Sequence, residues 1–188
     1  VIAGRDERGL YYGVQTLRRM AAKGKLETCT LQDWPDVPFR GAIEGFYGQP
    51  WSHEHRLRQL DFYGRNKMNV YIYGPKDDPY HRQHWREAYP ENEAKLLQEL
   101  NIRAHQRGVN FYWAIHPGLD IKWTNEDRDN LVNKLEKMYG LGIRSFAVFF
   151  DDISGEGSRG EKQAELLNYV DSVFVRKHGD VSPLLLCP

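Results

Sequence analysis

From Gly41 onward the chain alternates short apolar runs with polar or amphipathic stretches of helix length, and few folds accommodate that alternation. The runs "GAIEGF" (41–46), "MNVYIYG" (68–74), "VNFYWAI" (109–115), "RSFAVFF" (144–150) and "SPLLLC" (182–187) read as strands. Between them, "SHEHRLRQLDFYGRN" (52–66), "ENEAKLLQELNIRAHQRG" (91–108), "NEDRDNLVNKLEKMYGLG" (125–142) and "EKQAELLNYVDSVFVRKHG" (161–179) read as helices. Ser52 stands where a side chain can cap the first helix, and Gly108 where a left-handed residue can end the second. The third helix has acids in its first turns, as the helix dipole favours. Strands that are apolar on both faces and separated by helices run parallel and are covered by those helices. Two architectures satisfy this: an open doubly wound sheet and a (β/α)8 barrel.

The connections separate the two. No G-x-G-x-x-G follows the first strand, which weakens a dinucleotide-binding reading. The polar insertions "GQPWS", "GPKDDPYHRQHW", "HPGLDIKW" and "DDISGEGSRG" all follow strands, whereas the helix-to-strand links "KMN", "RGV" and "LGIR" are terse. Long loops at the strand C-termini mark the face on which a barrel builds its active site. The expected fold is therefore α/β, a (β/α)8 TIM barrel of which about the first five β/α units are present. Upstream, "GLYYGVQTLRRMAAK" (9–23) reads as a helix with Leu10, Val14, Leu17 and Met20 at helical spacing. "TCTLQDWPDVPF" (28–39) reads as a strand running into a linker broken by Pro35 and Pro38. The chain does not begin with Met and is expected to be interior to a longer protein.

Charge and cysteine content narrow the partners. Twenty-six basic residues balance twenty-six acidic ones without a basic stripe, so no nucleic-acid partner is expected. No apolar run approaches the length of a membrane span, so no membrane partner is expected. The opening "VIAGRDERGL" lacks the basic start and apolar core of a signal peptide. Cys29 and Cys187 show no metal-type spacing and are expected to be free, buried thiols. His53 and His55 face different ways on a helix, and His81 and His84 have no third ligand nearby, so neither metal nor cofactor is expected.

The strongest chemical signal is "FAVFFDDISGEG" (146–157), where an apolar run drives into Asp151 and Asp152. A polar strand exit with one acid capping a helix is the plain reading. For both acids to serve one pocket, Asp151 must end the strand pointing inward and Asp152 must lie on the turn, which Gly155 and Gly157 permit. Two close carboxylates then push one pKa up and separate a proton donor from an anionic partner. In "YGPKDDPYH" (73–81), Lys76 suits donation to substrate hydroxyls, and Asp77 and Asp78 fit a turn. In "IEGFYGQPWS" (43–52), Gly45 and Gly48 allow close backbone approach to a ligand and Tyr47 and Trp51 offer stacking faces, though a tight turn reads equally well. His116 in "AIHPG" (114–118) reads as a structural hydrogen-bonding residue before a ligand contact.

Taken together, "RGAIEGFYGQPWSHEHRL", "NVYIYGPKDDPYHR", "WAIHPGLDIKW" and "SFAVFFDDISGEG" resemble glycoside hydrolase family 84, the O-GlcNAcase-like β-N-acetylglucosaminidases, over about residues 34–188. The preceding helix resembles the end of the small α/β domain that precedes the barrel in bacterial members. The resemblance implies residues 1–33 as the end of that domain, 34–40 as a linker and 41–188 as the N-terminal part of the catalytic barrel. It also implies retaining hydrolysis of terminal β-linked N-acetylglucosamine on glycans or O-GlcNAc proteins. The sugar's own acetamido oxygen is the implied nucleophile, giving an oxazoline.

By the same resemblance, Asp151 matches the acid that orients the acetamido N–H, and Asp152 the general acid and base. Gly45 and Lys76 match positions that bind sugar hydroxyls. The family's later pocket residues, a Tyr, Trp, Asn and Asp, fall beyond Pro188. Alternatives are a non-catalytic N-acetylglucosamine-binding module, an inactive fragment, and a metal-dependent hydrolase using Asp77, Asp78, Asp151 and Asp152. The compartment stays open, a secreted or periplasmic location being compatible with a bacterial parent.

Overall fold

The computed structural model describes residues 1–22, 24 and 26–188. Helix α1 (Glu7–Ala21) comes first, followed by β1 (Gly41–Glu44), α2 (His53–Arg65), β2 (Val70–Tyr73), α3 (Glu91–Gln106), β3 (Asn110–Ile115), α4 (Asn125–Gly140), β4 (Ser145–Phe149), α5 (Gly160–Val170) and β5 (Leu185–Cys187). Helix α5 runs on through a wider π turn, Asp171–Val175, and a last turn, Arg176–His178. Each expected strand and helix from Gly41 on is present within about three residues at its start. The Ser52 cap forms, its Oγ accepting from His55 N at 3.2 Å, and Thr124 Oγ1 accepts from Asp127 N at 3.3 Å. Caps of this kind contribute about 1 kcal/mol each. Gly108 follows the Arg107 cap of α3 at φ 66, the left-handed conformation that glycine adopts without steric cost.

The five strands form one parallel sheet in the order β1-β2-β3-β4-β5. A doubly wound sheet reverses its strand order at a switch point, and here there is no reversal. Every crossover therefore advances the same way and stacks its helix on the same side, giving a parallel half-barrel. Alternation along the strands supplies its two faces. Tyr71, Tyr73, Phe111, Trp113, Ile115, Phe146 and Val148 pack outward with Leu60, Leu97, Leu131, Leu135 and Leu166 of the helices. Val70, Ile72, Tyr112, Ala114, Ala147 and Phe149 form the inner cluster, with Leu185 and Cys187 against it. Full burial of each large apolar side chain contributes about 1.5–3 kcal/mol, so the outer cluster dominates the fold's stability.

Three expectations change upstream of β1 and at the cysteines. Residues 28–39 form no strand; they run as exposed coil with bends at 36–38, since no strand of the sheet lies beside them to accept their hydrogen bonds. Cys29 within them is exposed rather than buried, and Cys187 is half-buried; both are free thiols. Helix α1 starts two residues early, at an Asp6 cap that accepts from Gly9 N at 2.6 Å, and Lys23 of the expected span lies outside the described residues. Its Leu10, Val14 and Leu17 point outward, while Gln15 is buried against the half-barrel. Among the described residues no helix is long and apolar enough to cross a membrane.

Candidate active site

The loops after β1, β2, β3 and β4 meet at the C-terminal end of the half-barrel. Inner-face parity decides which residues meet there. On β2 the inner residues are Val70 and Ile72, and continuing the alternation brings Gly74 and then Lys76 to the same side. On β3 the series Tyr112, Ala114 leads to His116, and on β4 Ala147, Phe149 leads to Asp151. Three polar residues from successive strands thus top one apolar layer.

Lys76 forms an ion pair with Asp151 Oδ2. The lysine side chain is only 2% exposed and the aspartate 30%. His116, fully buried between them, donates from Nε2 to the Asp151 backbone carbonyl at 2.7 Å and lies 3.7 Å from its Oδ1. That bond fixes the proton on Nε2 and leaves Nδ1 without a partner; Asp151 Oδ1 has none either. Burial raises the Asp151 pKa, but the Lys76 hydrogen bond and charge hold the carboxyl below its ordinary range. Burial pushes His116 down, so it sits neutral and serves as a hydrogen-bonding strut. The structural role read from its sequence context is the one seen.

Asp152 is on the turn, as expected, but the strained step falls on Asp152 itself rather than on the glycines alone: its φ is 58. Aspartate tolerates the left-handed region better than most residues. Tyr47, from the loop after β1, donates to Asp152 Oδ2 at 2.9 Å and accepts from Arg82 Nη2 at 3.2 Å. The Lys76 ammonium lies 5.7 Å from the Tyr47 ring centroid. Asp152 also borders an open cavity of about 340 Å³ with Gly118, Leu119, Ile153 and Ser154. The two acids are therefore separated by different partners, not by mutual repulsion, and the raised pKa expected from close carboxylates is not what acts on Asp151.

Gly45 follows β1 directly. A Cβ there would come 3.2 Å from Ile43 Cγ2, so a side chain is possible only with adjustment. The β1 and β2 loops are tied on both sides of it, Gly74 N donating to Glu44 O at 3.0 Å and Lys76 N to Phe46 O at 3.3 Å. Gly45 and Lys76 thus belong to one backbone unit at the rim. Cys187, at the end of β5, has its thiol pushed up by burial and then by the Asp151 charge, which places it beside the same cluster.

The acids proposed as a metal set do not converge. Asp78 accepts the hydroxyls of Tyr73 and Tyr89 at 2.7 and 2.8 Å and the backbone N–H groups of Tyr80 and His81. Asp151 is taken by Lys76, Asp152 by Tyr47, and Asp77 is exposed. No cluster of three or more His, Cys, Asp or Glu side chains is grouped to hold a metal ion among the described residues. Sequence reading passed over Glu44, fully buried at the end of β1 and facing α2. It takes a two-pronged bond from Arg56 at 2.8 Å each, plus the Tyr71 hydroxyl and Trp51 N. An acid closing an apolar strand was the available signal; its partner twelve residues on, one helix turn past the Ser52 cap, was not legible locally.

Residues 40–188 match the family described as NAGidase, beta-N-acetylglucosaminidase. The chain is 36% identical over 154 residues to the proteins named Protein O-GlcNAcase of Rattus norvegicus and Mus musculus, a match covering 79% of this chain and 17% of each relative. Among solved structures, that of CpGH84B aligns with a TM-score of 0.92 and 45% identity over 97% of this chain and 33% of its own. A mutant of the Thermobaculum terrenum O-GlcNAc hydrolase aligns with a TM-score of 0.70 and 36% identity over 80% of this chain and 35% of its own. The chain thus spans about one sixth of the curated relatives' length.

Proposed function

The chain belongs to the β-N-acetylglucosaminidase family, glycoside hydrolase family 84, and from that premise we propose that it contributes the catalytic acids of a retaining, substrate-assisted β-N-acetylglucosaminidase. The substrate is terminal β-linked N-acetylglucosamine, on a glycan or an O-GlcNAc-modified protein. The observation that carries the assignment of roles is the unequal environment of the two acids. Lys76 keeps Asp151 ionised. A permanent anion is suited to orienting the acetamido N–H and to steadying the positive charge that develops as the acetamido oxygen attacks the anomeric carbon. Among the described residues no cation pairs with Asp152, which lines the cavity. It delivers a proton to the departing glycosidic oxygen, then takes one from the water that opens the oxazoline. Gly45 and Lys76 meet sugar hydroxyls at the rim. Each step uses protein side chains, the substrate's own acetamido group and water.

Proton NMR of the first-formed product tests the reading on an aryl N-acetyl-β-glucosaminide. The β-anomer should appear first, and replacing the acetamido group by trifluoroacetamido should slow turnover sharply, because the attacking oxygen becomes a poorer nucleophile. Initial release of the α-anomer, or indifference to trifluoroacetamido, would sink the mechanism. Saturable N-acetylglucosamine binding without any turnover would favour the sugar-binding alternative.

A further inference from the structure

Glu44 closes β1 with a side chain that is 0% exposed, and the partners of its carboxylate are all donors. Arg56 Nε donates to Oε2 and Arg56 Nη2 to Oε1, both at 2.8 Å. Trp51 N donates to Oε1 at 3.0 Å, and the Tyr71 hydroxyl to Oε2. Burial first, and the neighbouring carboxylate second, hold the Tyr71 phenol well above its ordinary pKa, so it keeps the proton it donates. The Glu44 carbonyl takes Gly74 N at 3.0 Å. One residue thus ties β1 to α2, to the end of β2 and to the far end of its own loop.

Part of this is plain architecture. The two-pronged Arg56 bond holds α2 against β1, and the guanidinium lies 4.9 Å from the Tyr73 ring centroid. A buried ion pair is weak ground for stability, since apolar side chains of similar volume often replace one without loss. The Trp51 bond does something that joining strand to helix does not require. It closes residues 45–50 between Glu44 and Trp51, so one side chain anchors both ends of the loop. That loop has little packing to hold it: Phe46 is 38% and Tyr47 56% exposed, and a Cβ on Gly48 would meet nothing within 4 Å. Trp51 packs against the outer core and edge-on to Phe46, with ring centroids 5.5 Å apart. Phe46 O accepts from Lys76 N at 3.3 Å, and Tyr47 follows with its hydroxyl on Asp152. The anchored loop therefore touches the partners of both acids, Lys76 for Asp151 and Tyr47 for Asp152.

We propose that Glu44 is a positioning residue for the hydrolysis, an inference that rests on the roles given above to Asp151 and Asp152. Through Trp51 N its carboxylate sets the path of residues 45–50, and with that path the partners of both acids. Gly45 is the next residue, so its approach to a sugar hydroxyl moves with the anchor. Arg56 acts one step further back. Its fork engages both carboxylate oxygens and fixes their plane, which keeps Oε1 on Trp51 N. Groups that must meet a reacting sugar tolerate little displacement: a shift of about 1 Å costs up to about 10²-fold in rate.

Two double variants of the full-length protein separate the anchor from the ion pair. Glu44→Gln with Arg56→Met removes both charges and keeps an oxygen for Trp51 N. Glu44→Leu with Arg56→Met removes the charges and the oxygen. Neither leaves a buried charge unpaired, so both are expected to fold and to melt at similar temperatures. On an aryl N-acetyl-β-glucosaminide, kcat/KM of the leucine pair should fall about 10- to 100-fold below that of the glutamine pair. Hydrogen exchange gives a reading that needs no substrate: the Trp51 N–H should lose protection in the leucine pair while the α2 amides keep theirs. Glu44→Asp supplies a second reading should the leucine pair fail to fold. It keeps a carboxylate that the flexible Arg56 can follow but falls one methylene short of Trp51 N, so activity and Trp51 protection should drop together. Equal kcat/KM for the two pairs, or equal Trp51 exchange, overturns the proposal. Absence of turnover by the wild type overturns the hydrolase reading instead, and the exchange result still decides whether Glu44 anchors the loop.

Discussion

Lys76 and Asp151 meet across the top of β3: the ammonium on the loop after β2 reaches over one intervening strand to the first acid after β4. Neighbouring strands lie about 4.8 Å apart, so two steps span about 9–10 Å, within reach of a lysine aided by its loop. His116 on the intervening strand secures the Asp151 carbonyl from below. The pair is thus built by strand order and parity together, and its chemistry follows from burial and charge.

The first prediction is a pH effect. In the folded chain Lys76 outweighs burial and depresses the Asp151 pKa. A depressed folded-state pKa contributes stability that is present above the unfolded value, about 3.9, and is lost as pH falls below it. Lys76→Met removes the main influence that opposes burial, so Asp151 should titrate higher than in the wild type and the stability it contributes above that pH should shrink. Carboxyl carbon NMR of both proteins checks this; an unmoved Asp151 titration would show that Lys76 does not hold it. In the active enzyme the same change should lower kcat/KM by about 1–3 kcal/mol of transition-state binding.

The two acids should answer differently to the leaving group. If Asp152 is the proton donor proposed above, Asp152→Ala should be severe for alkyl or protein-linked glycosides and mild for aryl glycosides of acidic phenols. The expected span between them is about 10²–10⁴-fold. Azide should rescue its second step, since a small anion needs no general base. Asp151→Asn should hurt all leaving groups alike and resist azide. A graded phenol series distinguishes them: steep dependence for Asp151→Asn with a flat line for Asp152→Ala would mean the roles are reversed.

The left-handed backbone at Asp152 sets a stability order that is separate from catalysis. Asparagine tolerates φ near 58 about as well as aspartate does, whereas a β-branched residue there is a steric outlier. Asp152→Asn should therefore unfold near the wild-type urea midpoint, and Asp152→Val should be less stable by about 1–2 kcal/mol or more. Equal midpoints for the two variants would mean that the turn relaxes freely.

His81 predicts acid sensitivity. Burial pushes it down to about 4, against the support of its bond to the Ala114 carbonyl at 2.7 Å, and leaves Nε2 unpaired. Its unfolded value is about 6.5. The unfolded chain then binds a proton that the folded one refuses, so stability is lost as pH falls from about 6.5 toward 4, by up to about 1.4 kcal/mol per pH unit. His81→Asn keeps a donor for Ala114 and cannot titrate. Urea midpoints taken across that window should slope less in the variant, and an identical slope would move the effect to another group.

Much of the architecture was readable before any coordinates. A strand such as 144–150 or a helix such as 91–108 announces itself because many residues repeat one weak preference, and the preferences add. The same summation failed at 28–39, where apolar and β-forming residues are present but no neighbouring strand completes their hydrogen bonds. Loop asymmetry pointed to the strand C-terminal end, and the apolar run into Asp151 and Asp152 marked the acids that the sheet brings to that end. The sequence alone could place those acids side by side, and from that it suggested that they repel. Tertiary structure decided otherwise. Parallel register brought Lys76, 75 residues earlier, onto Asp151, and a left-handed turn handed Asp152 to Tyr47, 105 residues earlier. Such pairings carry no local period to sum. They depend on which residues share a face at the end of successive strands, and that is settled only when the sheet has formed and its alternation has been carried, residue by residue, to the rim.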